Sequence, residues 1–401
     1  QLSSDDFSSC FQMSSSYPES TDNITFTLDP SLTMLYSTTY KIRITTSVSD
    51  IAGNTLASQY SQTYGFTTTD TIPITAGYAH SCYMLDNGSV KCWGANSYGQ
   101  LGRGDTDNRT VIDLGTGKTA RAIEAGYNHT CAILDNASVK CWGYNSSGQL
   151  GLGDTDNLGD NSSEMGDNLA VINLGSGRTA SAIATGDSHT CALLDNSAVK
   201  CWGANASGQL GQGDTNNLGD NSSEMGDNLT AVDLGTGRTA TVISAGDSHT
   251  CVLLDNSAVK CWGDNTYGQL GQGDNNNRGD GSNEMSENLT VIDLGSGRTA
   301  KSITTGTGYT CAVLDDDSVK CWGRGNVGQL GHGKTTSVDS PPNSSIDLGT
   351  GRTAKSVLAG NSHTCAILDN SSIKCWGSNN SGQLGLGDTS NRGDGSNEMD
   401  D

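Results

Sequence analysis

The chain has 401 residues, a formal net charge of -22, 33% hydrophobic residues, 53 glycines and 13 cysteines. Such an acidic balance argues against nucleic-acid phosphates and anionic membrane surfaces as partners. No apolar run is long enough for a membrane-spanning helix, and few apolar residues among many glycines suit short strands and long turns.

Residues 1–72 lack the pattern that fills the rest. Ile24, Phe26 and Leu28 alternate with polar neighbours, as do Tyr40, Ile42 and Ile44, and both runs read as half-buried strands of a sandwich. The segment 38–60, with Asp50, Gly53, Asn54 and Leu56, resembles the closing part of bacterial Ig-like domains. Residues 65–68 supply or begin its last strand. The resemblance implies that the first strands of that domain precede Gln1. It also implies a partner for Cys10, the odd cysteine, either outside this stretch or on another molecule.

From Ile74 onward one unit recurs six times. Its second half is marked by Cys-Trp-Gly at Cys92, Cys141, Cys201, Cys261, Cys321 and Cys375, and a first cysteine precedes each at Cys82, Cys131, Cys191, Cys251, Cys311 and Cys365. Gly-Gln-Leu-Gly follows from Gly99, Gly148, Gly208, Gly268, Gly328 and Gly382. Self-similarity at this period signals stacked units or propeller blades.

Within the copy at 188–211, His189, Cys191 and Leu193 alternate with Thr190, Ala192 and Leu194. After the Asp195-Asn196-Ser197 turn, Val199, Cys201 and Gly203 alternate with Ala198, Lys200 and Trp202. This predicts a β-hairpin whose turn uses Asp or Asn in a left-handed conformation. Folding it about Asn196 sets Cys191 opposite Cys201 and Leu193 opposite Val199, within disulfide reach. The same register in every copy predicts six hairpin disulfides and an oxidising compartment. Closely spaced C-x-x-C knuckles of the zinc-binding kind are absent. A strand at 182–186 and another at 231–234 bring each unit to about four strands.

These units resemble the repeats of the regulator of chromosome condensation, the family of RCC1-like propellers. The resemblance rests on His189-Thr190, Ala192-Leu193, Val199, Trp202-Gly203, Asn205 and Gly208 to Gly211, and covers roughly residues 73–401. It implies an all-β chain: a propeller of six or seven blades at 73–401, following a partial Ig-like sandwich at 1–72. Only six repeats are visible where the family usually has seven. Closure of the ring is expected from a strand near Phe66 to Ile74, from sequence beyond Asp401, or from a neighbouring subunit.

Loop length varies between copies. First cysteines are spaced 49, 60, 60, 60 and 54 residues apart, and the longer copies carry an acidic insertion. In the second copy it offers Asp154, Asp156, Asp160, Glu164 and Asp167. The third offers Asp214, Asn216, Asp220, Glu224 and Asp227, the fourth Asp274, Asn276, Asp280, Glu284 and Glu287, and the sixth begins similarly at Asp388, Asp394 and Glu398. Closely spaced carboxylates and carbonyls can supply the six to eight oxygens calcium takes. The alternative is a solvated loop whose Asp and Asn residues cap turns. Met165, Met225, Met285 and Met399 recur beside the Glu and read as packing residues.

The recurrent histidines (Tyr309 in the fifth copy) and the single Trp per copy read as structural rather than as metal ligands or a tryptophan cluster. The two Arg-Gly-Asp triplets, at Arg278 and Arg392, sit where other copies carry Leu-Gly-Asp. No copy departs from the others to assemble a nucleophile, base and orienter, so no enzyme is expected. The expected function is binding or scaffolding at the cell surface, with calcium as the only candidate cofactor and proteins as partners. Two alternatives are a self-assembling fibre or surface layer, and a secreted inhibitor that grips an enzyme through one propeller face.

Overall fold

The computed structural model describes residues 74–104 and 111–399, together with the backbone of four strands nearer the N-terminus. The chain divides into two compact units, Gln1–Ile72 and Pro73–Asp401. In the first, Thr39–Ile44 pairs antiparallel with Leu2–Ser3, Tyr60–Ser61 and Phe66–Thr67. Phe66 lies opposite Tyr40, so Phe66–Thr67 belongs to this sheet. The expected strand at 24–28, the turn at 50–56 and Cys10 lie outside the described residues.

The second unit is six three-stranded antiparallel sheets, one per repeat. Blade 1 is Ile74–Ala76, His80–Met84 and Val90–Gly94, and blade 2 is Ala120–Ala125, His129–Leu134 and Val139–Gly143. Blade 3 is Ala180–Thr185, His189–Leu194 and Val199–Gly203, and blade 4 is Ala240–Ala245, His249–Leu254 and Val259–Gly263. Blade 5 is Ala300–Gly306, Tyr309–Leu314 and Val319–Gly323, and blade 6 is Ala354–Ala359, His363–Leu368 and Ile373–Gly377. First strands of successive blades pack on one another and so lie innermost.

The hairpin register sets Cys191 opposite Cys201 and Leu193 opposite Val199, and a disulfide joins the two cysteines of every blade with Cα atoms 4.0 to 4.1 Å apart. The turn differs from the expected one in a single respect. The left-handed residue is the third, Ser197 at φ 63°, and Asn196 instead accepts the Ala198 amide through Oδ1. Its counterparts are Gly88, Ala137, Ser257, Asp317 and Ser371, so the side-chain hydrogen bond of the Asx residue, not its backbone tolerance, sets the turn.

The expected fourth strand is not formed. Residues 231–234 run beside the outer strand but make one backbone bond there, from the Val232 amide to the Val199 carbonyl at 2.8 Å. Val232 and Leu234 turn inward while Ala231 and Asp233 stay exposed, and Gly235 at φ 103° then turns the chain away before a ladder can grow.

The core lies between blades. Cys131, Ile133, Val139 and Leu150 of blade 2 pack against Ile183, Leu194 and Trp202 of blade 3, and each later junction repeats the set. Burial at these junctions is nearly complete, and it supplies the main driving force where aromatic residues are few.

Candidate functional site

Each junction is fixed by one polar relay. Trp202 Nε1 and Thr190 Oγ1 both donate to the Gln149 carbonyl of the preceding blade, at 3.0 and 2.9 Å. His129 Nε2 of that blade lies 3.0 Å from the same Thr190 oxygen. The threonine hydrogen is committed to Gln149, so the hydroxyl accepts from His129 Nε2–H, and Nδ1 keeps a bare lone pair with no partner. The histidine is therefore neutral, and burial holds His129 and His189 down at about 3 and His80 at about 4. Tyr309 fills this slot in blade 5. Its hydroxyl lies 3.1 Å from Thr364 Oγ1 and donates to the His363 carbonyl at 2.6 Å.

The acidic insertions strap neighbouring blades together. Lys200 Nζ donates to the Leu174 and Gly226 carbonyls, and Asp227 accepts the Ser176 amide and hydroxyl of the preceding blade. The same strap runs from Asp167 to Thr116 and from Glu287 to Thr236. Met165, Met285 and Met399 are buried beneath it, as a packing role requires.

The carboxylates read as calcium ligands are placed individually. Asp154, Asp214 and Asp274 each accept an amide of their own loop and the side-chain amide of Asn145, Asn205 or Asn265. Glu164, Glu224 and Glu284 each accept two backbone amides. Asp160 and Asp220 lie beside Glu164 and Glu224, and burial together with that neighbouring carboxylate raises both. Asp156 is exposed and Asp280 half-buried. Asp214, Asp220 and Glu224 border an open depression of about 640 Å³. Among the described residues no three His, Cys, Asp or Glu side chains converge as a metal site. The arginines of the Arg-Gly-Asp triplets are held in their own loops, Arg278 by Asp274 and Arg392 by Asp388, both at 2.7 Å.

Sequence reasoning missed a face on which the copies differ. The turns joining first and second strands, and those following the third strands, share this face, because Ala95 bonds the Ala79 carbonyl and Tyr144 that of Asn128. Around the axis the first of these turns carries Tyr78, Tyr127, Asp187, Asp247, Thr307 and Asn361. The turns lie edge to edge: Tyr78 N bonds Tyr127 O, and Asp187 N bonds Asp247 O, each at 3.2 Å. Tyr78 stacks on Tyr127 with ring centroids 4.2 Å apart, and Tyr98 meets Tyr144 at 4.6 Å. Burial and the charge of Asp247 push Asp187 up to about 7. Burial also pushes Glu124, on the innermost strand of blade 2, up to about 7 against a Thr75 hydrogen bond. Aligning the copies and reading variable rather than fixed positions is the signal that finds this face.

Fold and face together define a disulfide-stapled β-propeller whose invariant residues build junctions and whose variable residues line one end of the axis. The family model described as RCC1-like domain matches residues 52–397, and the chain belongs to that family. A bacterial Ig-like domain model matches residues 4–68. The Arabidopsis thaliana ultraviolet-B receptor UVR8 is 34% identical over 211 residues, 52% of this chain and 44% of that protein. The human E3 ubiquitin-protein ligase HERC2 is 30% identical over 207 residues, 52% of this chain and 4% of that one. The chain thus spans less than half the length of these relatives. Yeast RCC1 (Prp20), solved bound to Kap60, superposes with a TM-score of 0.63 at 21% identity over 80% of this chain and 73% of its own. Human WBSCR16 does so at 0.66 and 19% identity, over 87% and 88%. At these identities the likeness is one of fold.

Proposed function

We propose that the chain is a non-catalytic protein-binding module acting outside the cell, with the axial face of blades 1 to 4 as its contact surface. One observation carries this reading: residues that hold blades together repeat, while the mouth changes from two tyrosines to two aspartates, Thr307 and Asn361. Tyrosines clustered beside charged groups suit a protein interface. RCC1-like relatives bind proteins, as the yeast complex with Kap60 illustrates. Six disulfides and the match to a bacterial Ig-like domain support an extracellular setting. The test captures partners from the extracellular fraction with the full chain and with a Tyr78→Ser/Tyr127→Ser variant of equal Tm. A partner held by the former and lost by the latter supports the reading; equal capture by both overturns it. A captured hydrolase that loses activity would make the module an inhibitor.

A second reading, self-assembly, has its own observation. Trp93 in blade 1 is 44% exposed whereas the other five tryptophans are fully buried, and Ile373 in blade 6 is 70% exposed where its counterparts in blades 1 to 5 are buried. These are the two halves of the internal junction, so blade 6 of one copy offers the surface that blade 1 of another buries, in a head-to-tail contact. A molar mass by light scattering that rises with concentration supports it, and a constant monomer mass sinks it.

A further inference from the structure

We propose that the mouth formed by Tyr78, Tyr127, Asp187 and Asp247 binds the side-chain cation of a lysine or arginine presented by a partner protein, which deepens the protein-binding reading above and rests on it. The lining is electron-rich throughout. Two aromatic faces stand stacked, with Tyr78 58% exposed at the rim. Two carboxylates follow in the next two blades, on turns joined by the Asp187 N to Asp247 O bond. The fully buried His189 Nδ1, like that of His80, His129 and His249, has no hydrogen-bond partner and lies against its own turn glycine, Gly186, where an added Cβ would be 2.4 Å from it.

Arg324, which shares this face through its amide bond to the Gly308 carbonyl, lies over the Tyr267 ring 5.3 Å from its centroid. The neighbouring charge that acts on Asp187 is that of Asp247, a second carboxylate. Asp247 itself accepts the Gly308 amide at 3.0 Å and has His249 Nδ1 at 3.6 Å. Among the described residues no ion pair of a lysine or arginine reaches either aspartate. A row of acceptors and π faces complements a ligand made only of donors, which describes an ammonium or a guanidinium. Aromatic rings favour such organic cations over hydrated calcium, which takes oxygen ligands on every side. The chain's net charge of -22 steers a basic segment toward this face.

The test uses the full chain and fluorescein-labelled peptides of sequence GRGRG, GKGKG and GQGQG, read by anisotropy at about 0.15 M salt. The two basic peptides are expected to bind and the neutral one not. Asp187→Asn, an isosteric change, is expected to weaken binding about tenfold, and Tyr127→Leu about three- to tenfold. Asp86→Asn, in a hairpin turn on the opposite face, is expected to leave it unchanged. Equal losses from Asp86→Asn and Asp187→Asn would reduce the effect to net charge and overturn the proposal. Displacement by calcium chloride but not by methylguanidinium would overturn it in favour of an inorganic cation. A partner that needs Tyr78 and Tyr127 yet tolerates Asp187→Asn would overturn the cation site and leave the protein-binding reading standing.

Discussion

Trp202 donates its indole N–H to the Gln149 carbonyl of the preceding blade at 3.0 Å, and the same bond joins Trp142 to Gln100, Trp262 to Gln209, Trp322 to Gln269 and Trp376 to Gln329. The acceptor is a backbone atom, so the bond fixes blade position whatever the side chains around it. Trp202→Phe keeps most of the buried ring but removes the donor. Gln149 O still receives Thr190, so the expected loss is about 1 kcal/mol for the bond plus a cavity contribution, read by chemical denaturation. Thr190→Val strands His129 Nε2 as well and is expected to cost about 1–3 kcal/mol. A loss below about 0.5 kcal/mol for Thr190→Val, the level of a surface substitution, would contradict the relay.

Stability should peak near neutral pH. His129 and His189 are held down at about 3, and His80 and His332 at about 4, each by burial. Depressed histidines contribute stability that is present above their ordinary value and lost as pH falls toward the folded one. Asp187 and Glu124, pushed up to about 7, work the other way: their contribution is full in acid and lost as pH rises through 7. Four histidines outweigh two acids below neutrality, so Tm is expected to fall on acidification. His189→Tyr, which copies Tyr309 of blade 5, should flatten that acid limb, while Asp187→Asn should steepen it, because the opposing loss as pH rises from about 4 to 7 is gone. A Tm that rises steadily into acid would contradict these assignments.

The disulfides close short loops, each joining cysteines ten residues apart. Replacing Cys191 and Cys201 together by Ala is expected to cost roughly 2–3 kcal/mol on the chain-entropy estimate. The pair is fully buried at a junction, as are those of blades 1, 2, 4 and 5, so partial reduction should leave blades 1 to 5 oxidised longest. Blade 6, whose cysteines are half-buried, should yield first. Mass mapping of alkylated thiols over time reads the order.

Calcium is expected to leave Tm unchanged, because the insertion carboxylates already accept backbone amides. Glu224→Ala, which strips acceptors from Gly219 and Asn221, should lower Tm in calcium and in chelator alike. A Tm that falls only on chelation would return these loops to metal binding.

The repeat, the hairpin register and the disulfide pairs were legible because their side chains face each other across one turn, a separation that pattern alone resolves. The junction relay was not legible. Trp202 and Gln149 are 53 residues apart, and nothing in either copy says that the next blade's indole meets a carbonyl. The fourth strand failed for the opposite reason: its alternation is real, but a strand also needs a ladder, and Gly235 ends it after one bond. The acidic insertions left two readings open because a carboxylate that caps a turn and one that binds a metal look alike in sequence. The axial mouth escaped notice because fixed positions draw attention, whereas Asp187 and Tyr127 occupy one that varies.

Hydrogen–deuterium exchange of the full chain, with and without a captured partner, tests the central claim most directly. Protection is expected in the turns 77–79, 126–128, 186–188 and 246–248 and in 95–99 and 144–148, all on the axial face. Protection confined to the opposite turns at 116–119, 176–179 and 236–239, or to the insertions, would contradict it.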